Sequence, residues 1–374
     1  MSKNIKITVG VIFGGKSGEH EVSIASAMSI IKNINKQKYT ILPIGIQKNG
    51  NWIMGNASYK LVPENLKKLL PSAKKNPQKK SHSSLSLQKL YIHPDTVDIV
   101  FPVLHGTYGE DGTIQGMLEL ANIPYVGSGV LGSALGMDKA VQKELYKLHG
   151  FKQVNFFYFF KKDWIHNKKQ ILRFIKKNYA YPIFVKPANL GSSVGISKAK
   201  NRQRLIEAIN CAGQYDNKIL IEEGLRGIRE IECAVLGNDN PKASVCGEIV
   251  PSNEFYDYNA KYIDSASKIY IPAKLDKRIE RKIQSTAIRA FTILNLSGMA
   301  RVDFFLTKKN AIYINEVNTI PGFTSISMYP KLWEASGLPY TKLIDKLISL
   351  ALEKHKEKNR LKTSFLLKAT KKRK

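Results

Sequence analysis

Asp303, Glu316 and Asn318 carry the oxygen atoms that a hard divalent cation prefers, and Arg301 sets a permanent positive charge beside them. They lie in two short runs, Met299-Ala-Arg-Val-Asp-Phe-Phe305 and Tyr313-Ile-Asn-Glu-Val-Asn-Thr-Ile-Pro-Gly322. Both runs are rich in Val, Ile, Phe and Tyr and read as strands. The short polar Thr307-Lys-Lys-Asn310 between them predicts a hairpin. With Lys308-Lys309 as a two-residue loop, Arg301 faces Glu316 and Asp303 faces Ile314. Side chains alternate along a strand and opposite residues share a face, so the four polar groups project together. One residue of slip would send Asp303 to the other side. Such a face suits Mg²⁺ holding a phosphate, or else is a solvated hairpin surface with an Arg301–Glu316 salt bridge.

Asn189-Leu-Gly-Ser-Ser-Val-Gly195 follows an apolar strand that carries Lys186 near its end. Glycine lets backbone N–H groups approach phosphate oxygens, and two serine hydroxyls add donors. The Gly-Lys-Ser/Thr ending of a Walker loop is absent. The run is therefore a lid over phosphates or a tight turn between strands. Phe13-Gly-Gly-Lys-Ser-Gly18 lacks the G-x-G-x-x-G spacing, and Glu19-His-Glu21 puts charge where a pyrophosphate would sit, which excludes NAD binding. Glu19 falls at the carboxyl edge of a predicted sheet, where it either holds a ligand ammonium or favours a helix dipole. His105-Gly-Thr-Tyr-Gly-Glu-Asp-Gly112 ends a strand at the same edge, with His105 structural or catalytic. Asn253-Glu-Phe-Tyr-Asp-Tyr-Asn-Ala-Lys-Tyr-Ile263 reads as a loop that orders on binding, Lys261 and Tyr262 closing over phosphate and substrate, or as a surface loop with stacked tyrosines.

Positioning these groups requires a frame. Residues 6–13, 39–46, 52–55 and 97–104 read as strands, and 23–33 and 113–120 as helices, giving an open, mostly parallel α/β layer. A break near residues 127–132 precedes a helix at 138–149 with Gly150 as its cap, a strand at 156–160, a basic helix at 168–177, a strand at 183–186, a helix at 204–211 and a strand at 219–223. Beyond the joint at Gly224 strands dominate, at 231–236 and 245–251 and in the hairpin, with helices at 278–294 and 342–352. This C-terminal part is α+β. At 374 residues the chain exceeds what one core usually serves.

No apolar run is long enough to span a bilayer, and the N-terminus shows no signal-peptide core. Cys211, Cys233 and Cys246 form no CxxC pair, which points to a reducing cytoplasm without structural zinc. The net charge of +29 raises nucleic acid as a partner. Much of the excess, however, sits in residues 67–89 and in the tail from Lys354 to Lys374. Neither stretch interleaves aromatics as a base-stacking platform does, so both read as solvated or disordered segments. A basic nucleic-acid-binding protein remains the remote alternative.

Taken in order, His105–Gly112, Tyr125-Val-Gly-Ser128, Met137-Asp-Lys139, Val185-Lys-Pro187, Gly191-Ser-Ser-Val-Gly195, Asp257-Tyr-Asn-Ala-Lys-Tyr262 and Asn315-Glu-Val-Asn-Thr-Ile-Pro-Gly-Phe-Thr324 resemble the D-alanine–D-alanine ligases of the ATP-grasp superfamily. The resemblance runs from the first strand to about Leu352 and leaves out residues 67–89 and the tail. It implies a three-domain ATP-grasp fold: an N-terminal substrate-binding domain over 1–127, a central ATP-grasp subdomain over 128–222, a C-terminal subdomain with the metal site over 223–352, and a disordered basic tail over 353–374.

The resemblance also implies roles. Lys139, Lys186 and Lys261 would contact ATP phosphates beneath the loop carrying Ser193; Glu222 would lie near adenine or its hinge and Glu230 on the ribose. Asp303, Glu316 and Asn318 would hold two Mg²⁺, with Mn²⁺ as a substitute. Glu19 would bind the first D-alanine's ammonium with His105 nearby, and Ser192 and Tyr262 would join Glu19 to latch the loop. Arg301 and the Gly322 N–H would face an oxyanion, and Ser327, beside Met328, would hold the second carboxylate. The product would be D-alanyl-D-alanine for peptidoglycan. Tyr262, commonly replaced in relatives that use D-lactate, favours an amine nucleophile, with D-lactate or D-serine as alternatives. Asn259 departs from a common glutamate, which affects how the loop packs. The base for the second amine is not identified. The resemblance further implies a homodimer.

Overall fold

The computed structural model describes residues 6–67, 95–250, 268–324 and 326–362. The basic stretch at 68–89, the aromatic loop with Lys261 and Tyr262, and the tail beyond Lys362 lie outside these. The N-terminal part begins with β1 (Ile7–Gly14), α1 (His20–Asn33), β2 (Tyr39–Ile46), β3 (Trp52–Met54), the single turn α2 (Glu64–Lys67), β4 (Ile99–Pro102) and α3 (Thr113–Leu120). Its sheet runs β3-β2-β1-β4, with β1 parallel to β2 and β4 and the short β3 antiparallel. β1 is buried on both faces from Val9 onward, as expected for a parallel strand covered by helices.

The chain continues through α4 (Val130–Met137), α5 (Lys139–Leu148), β5 (Phe156–Phe160), α6 (Lys161–Asn178), β6 (Ile183–Pro187), β7 (Ser197–Ala199), α7 (Arg202–Tyr215) and β8 (Lys218–Glu223). These four strands form an antiparallel sheet, β5-β8-β6-β7. Asp138 starts α5 by accepting from the N–H groups of Ala140 and Val141 at 3.0 and 3.1 Å. α4 was hidden in the sequence by its glycines. α6 starts seven residues before the expected helix, its first turn set off by a kink at Asn167.

The last part comprises β9 (Ile228–Gly237), β10 (Lys242–Val250), β11 (Lys268–Tyr270), α8 (Lys277–Ile293), β12 (Gly298–Thr307), β13 (Ile312–Asn318), α9 (Met328–Ala335) and α10 (Tyr340–Asn359). Its antiparallel sheet is ordered β11-β10-β9-β12-β13, leaving β13 at an edge. α10 runs on to Asn359, so residues 353–359 are helix and do not belong to a disordered tail. Its apolar side, Leu343, Ile344, Leu347 and Ile348, shares one core with Val9, Val11 and Phe101 of the first sheet and with Ala234 and Met299 of the last. The central sheet has a separate core around Ile183, Val185, Ile209 and Ile221.

The hairpin register differs from expectation in an instructive way. Leu306 faces Ile312, because Thr307 accepts from Asn310 at 2.9 Å and Asn310 takes a left-handed φ of 59°, which lengthens the turn by one residue. A bulge between Asp303 and Phe304 then adds one more, and Asp303 faces Glu316 while Arg301 faces Asn318. Two single-residue shifts restore the parity, so Arg301, Asp303, Glu316 and Asn318 still share a face.

Gly132 seats α4 on the turn that feeds β12: a Cβ there would stand 2.5 Å from the Asn295 carbonyl oxygen. Gly132→Val is expected to cost about 1–3 kcal/mol, read from urea unfolding. An unchanged midpoint would show that this contact does not hold α4 in place.

Candidate active site

A cleft of about 830 Å³ opens beside the joint between the second and third sheets. Lys186, Ser193 and Glu222 line one side, and Glu230, Arg301, Asp303 and Glu316 the other. Seven residues singled out in the sequence, far apart along the chain, thus border one space.

On the β12–β13 face, Arg301 grips Asp303 bidentately, Nε to Oδ1 and Nη2 to Oδ2, both at 2.7 Å. Its Nε also lies 3.0 Å from Glu232 Oε2. The expected Arg301–Glu316 pair is therefore not formed. The bulge moves Glu316 opposite Asp303, and β9 places Glu232 opposite Asp303 on the other flank. Burial works against the Arg301 charge, but Asp303 and Glu232, with Glu316 behind them, outweigh it and hold the guanidinium protonated. Asn318 Nδ2 donates to Asp303 Oδ2 at 3.0 Å, and Lys139 Nζ lies 3.3 Å from Glu316 Oε2. Among the described residues no set of three His, Cys, Asp or Glu side chains converges, so the third donor of a metal set would be the Asn318 amide oxygen. Two carboxylates, each drawing a protein cation, plus one amide oxygen fit a hard divalent ion.

Behind this face lies a buried charge cluster. Glu222 is 2% exposed, with Lys143 Nζ 2.6 Å from one oxygen and Lys186 Nζ 2.5 Å from the other. Burial alone would raise the Glu222 carboxyl, but the two lysines hold it down to about 2. For Lys143 burial wins and lowers the ammonium, whereas for Lys186 the charges of Glu222 and Glu316 overcome burial and raise it. Glu222 thus fixes two lysines at the wall of the cleft. Lys143 was not foreseen. Its signal was present, since it lies four residues after Lys139 and shares that face of α5.

Glu19 and His105 meet at the carboxyl edge of the first sheet. Ser192 Oγ donates to Glu19 Oε1, which draws the glycine-rich loop onto α1's start. The fit depends on two glycines: a Cβ at Gly191 would stand 2.5 Å, and one at Gly106 2.8 Å, from Glu19 Oε2. Lys139 Nζ donates to Leu190 O at 2.7 Å and pins the loop again. His105 is buried, with Nδ1 3.0 Å from Ile320 O and Nε2 3.3 Å from Ser26 Oγ; burial lowers its pKa despite the charge of Glu19. Glu110, also unforeseen, accepts from Gly106 N at 2.9 Å and Ile320 N at 3.0 Å. Burial, and then the Glu19 charge, pushes it up to about 8. Both ends of the Ile320 peptide neighbourhood are thereby tied to residues 105–110, just before Gly322.

Ser327 Oγ accepts from Thr324 N at 3.0 Å and would sit 2.8 Å from a Cβ at Gly322, so the two expected residues are adjacent. Ser327 precedes α9, a helix not foreseen, whose N-terminal N–H groups suit a carboxylate. The Met328 side chain is packed in the core beneath Gly247, which leaves its backbone, and not its side chain, available to a ligand.

The D-ala D-ala ligase N-terminus family model matches residues 8–128, and the C-terminus model matches 145–349. The D-alanine–D-alanine ligase of Natranaerobius thermophilus is 51% identical over 369 residues, spanning 96% of this chain and 99% of the relative. That of Caldicellulosiruptor bescii is 51% identical over 360 residues with the same coverage. Among solved structures, the D-alanine–D-alanine ligase of Coxiella burnetii superposes with a TM-score of 0.77 at 38% identity, covering 95% of this chain and 96% of that one. The VanG D-Ala:D-Ser ligase of Enterococcus faecalis gives 0.79 at 38%, covering 93% and 100%.

Glu222→Gln would leave two buried lysines without a counter-charge, with an expected loss of about 3–5 kcal/mol in urea unfolding at neutral pH. A carboxyl whose folded pKa is depressed stabilises above its unfolded pKa and loses that effect as pH falls through the folded one. On the acid side the gap between parent and variant should shrink as pH falls from the ordinary 4.5 towards about 2. A gap that widens on acidification would remove Glu222 from this role.

Proposed function

The chain belongs to the D-alanine–D-alanine ligase family, and we propose from this premise that it joins two D-alanines at the expense of ATP, giving D-alanyl-D-alanine, ADP and phosphate for peptidoglycan synthesis. The observation that carries the residue-level reading is the convergence of Lys186, Ser193, Glu230, Arg301, Asp303 and Glu316 on one cleft between two antiparallel sheets.

In this reading ATP lies in the cleft, its phosphates toward Lys139 and Lys186 under the 191–195 loop, with Lys261 as a further phosphate contact and Glu230 at the ribose. Asp303, Glu316 and Asn318 hold Mg²⁺, two ions or Mn²⁺ in their place, which when bound neutralise phosphate charge. Glu19 receives the ammonium of the first D-alanine, and Ser192 and Tyr262 latch the loop to it. A carboxylate oxygen of that substrate attacks the γ-phosphorus, ADP leaves, and an acyl phosphate forms. The neutral amine of the second D-alanine then attacks the acyl carbon. It sheds a proton, and phosphate departs with the C–O electron pair. Arg301 and the Gly322 N–H stabilise the oxyanion between these steps. Ser327 and the start of α9, including the Met328 N–H, take the second carboxylate. His105 and Glu110 support this side by holding Ile320 and Gly106. Division into parts near residues 127 and 222, a cytoplasmic setting and a homodimer belong to the same reading.

Phosphate release should require D-alanine and a divalent ion and be negligible with L-alanine. D-serine competing as well as D-alanine for the second position would instead favour the specificity of a D-Ala:D-Ser ligase such as VanG of Enterococcus faecalis. Glu316→Gln is expected to lower turnover at least about 10²-fold with the circular dichroism spectrum unchanged; near-parent turnover would take Glu316 out of the site. Glu19→Gln should raise the D-alanine KM far more than the ATP KM.

A further inference from the structure

Gln142 is 1% exposed, and its amide is fully committed. Oε1 accepts from Val317 N at 3.0 Å and from the Tyr146 hydroxyl at 2.9 Å. Nε2 donates to Val317 O at 3.3 Å and to Gly136 O. Two donor hydrogens and two acceptor positions are all that a glutamine side chain has. β13 is an edge strand, and Val317 faces Val302 at a position whose N–H and C=O point away from β12. The amide meets both groups as a neighbouring strand would. Val317 is flanked by Glu316 and Asn318, and Gln142 lies on α5 between Lys139 and Lys143.

We propose that Gln142 is a positioning residue for the metal-binding strand: its amide stands in for a missing neighbour strand at Val317 and sets the spacing between Lys139 on α5 and the Glu316–Asn318 pair on β13. An edge strand without that partner can shift along its ladder or twist outward, since a backbone N–H and C=O would otherwise lie buried and unmet. The Lys139–Glu316 separation of 3.3 Å is the distance most directly at stake. Tyr146, on the next turn of α5 and completely buried, orients the amide and fixes which end accepts. The inference rests on the reading of this face as a site for a divalent ion and nucleotide.

The test is Mn²⁺ binding in the presence of ADP, followed by the electron paramagnetic resonance signal of free Mn²⁺, for the full-length parent, Gln142→Met and Gln142→Glu. Methionine keeps the shape and removes every hydrogen bond; glutamate keeps the acceptor and sets an oxygen against two carbonyls. Both variants should bind Mn²⁺ about tenfold more weakly. The Mg²⁺ concentration for half-maximal phosphate release should rise in proportion, with the D-alanine KM within about twofold of the parent's. A role confined to packing would lower the unfolding midpoint and leave the Mn²⁺ affinity of the folded variant unchanged, which would overturn the inference. Should neither variant fold, Tyr146→Phe takes their place: a weaker Mn²⁺ response supports the inference, and a parent-like one overturns it. Failure of the parent itself to bind Mn²⁺ with ADP would instead bring down the functional reading beneath it.

Discussion

The Lys143–Glu222–Lys186 cluster is the constraint on which the site depends. Three charges lie at the joint between two sheets with almost no access to water. Each charge is costly to bury alone, and only their mutual contact makes the burial tolerable. Glu222 therefore dictates where the two lysines stand, and because Lys143 shares α5 with Lys139 it ties that helix to the central sheet. A net positive charge remains once Glu222 is balanced, and it borders the space where Glu316 and Asp303 gather negative charge. The field across the cleft is thus built before any ligand arrives, in the manner of preorganised electrostatics.

A second constraint is steric. Glu19 occupies the volume that side chains at Gly106 and Gly191 would fill. Those two glycines belong to different parts of the chain, one in the loop after β4 and one in the loop after β6. Ser192 and Ser193 take left-handed backbone angles of 50° and 59°, which bend the second loop down onto the carboxylate. Gly191, which reads in the sequence as phosphate-binding backbone, also makes room for a carboxylate.

The sequence made the polar face of the hairpin legible although it gave the wrong register, because alternation has a period of two and the two errors added to two. The bulge at Asn315 has no glycine to announce it in the sequence. α4 and α9 escaped notice because glycine, proline and serine mask their helical periodicity, and tertiary contacts with Asn295 and with β10 hold them. Lys143 and Gln142 look like ordinary helix polarity until the strand and sheet they meet are in place. Glu110 was visible within its motif, but its two backbone partners are brought together only by folding. The family resemblance supplies chemical roles that no periodicity contains, while the packing adds that Glu222 contacts two lysines and that the Met328 side chain lies in the core.

The shared core beneath α10 has a mechanical meaning. The first and last sheets are bonded through one apolar interior by the helix that ends the fold, whereas the central sheet keeps its own. The molecule is accordingly a pair of unequal jaws. The broad jaw carries Glu19, the Asp303–Glu316 face and the start of α9, and the narrow jaw carries Lys186 and the serine loop. Glu19 and the start of α9 thus stand on one shared core, and Lys186 and the serine loop on another.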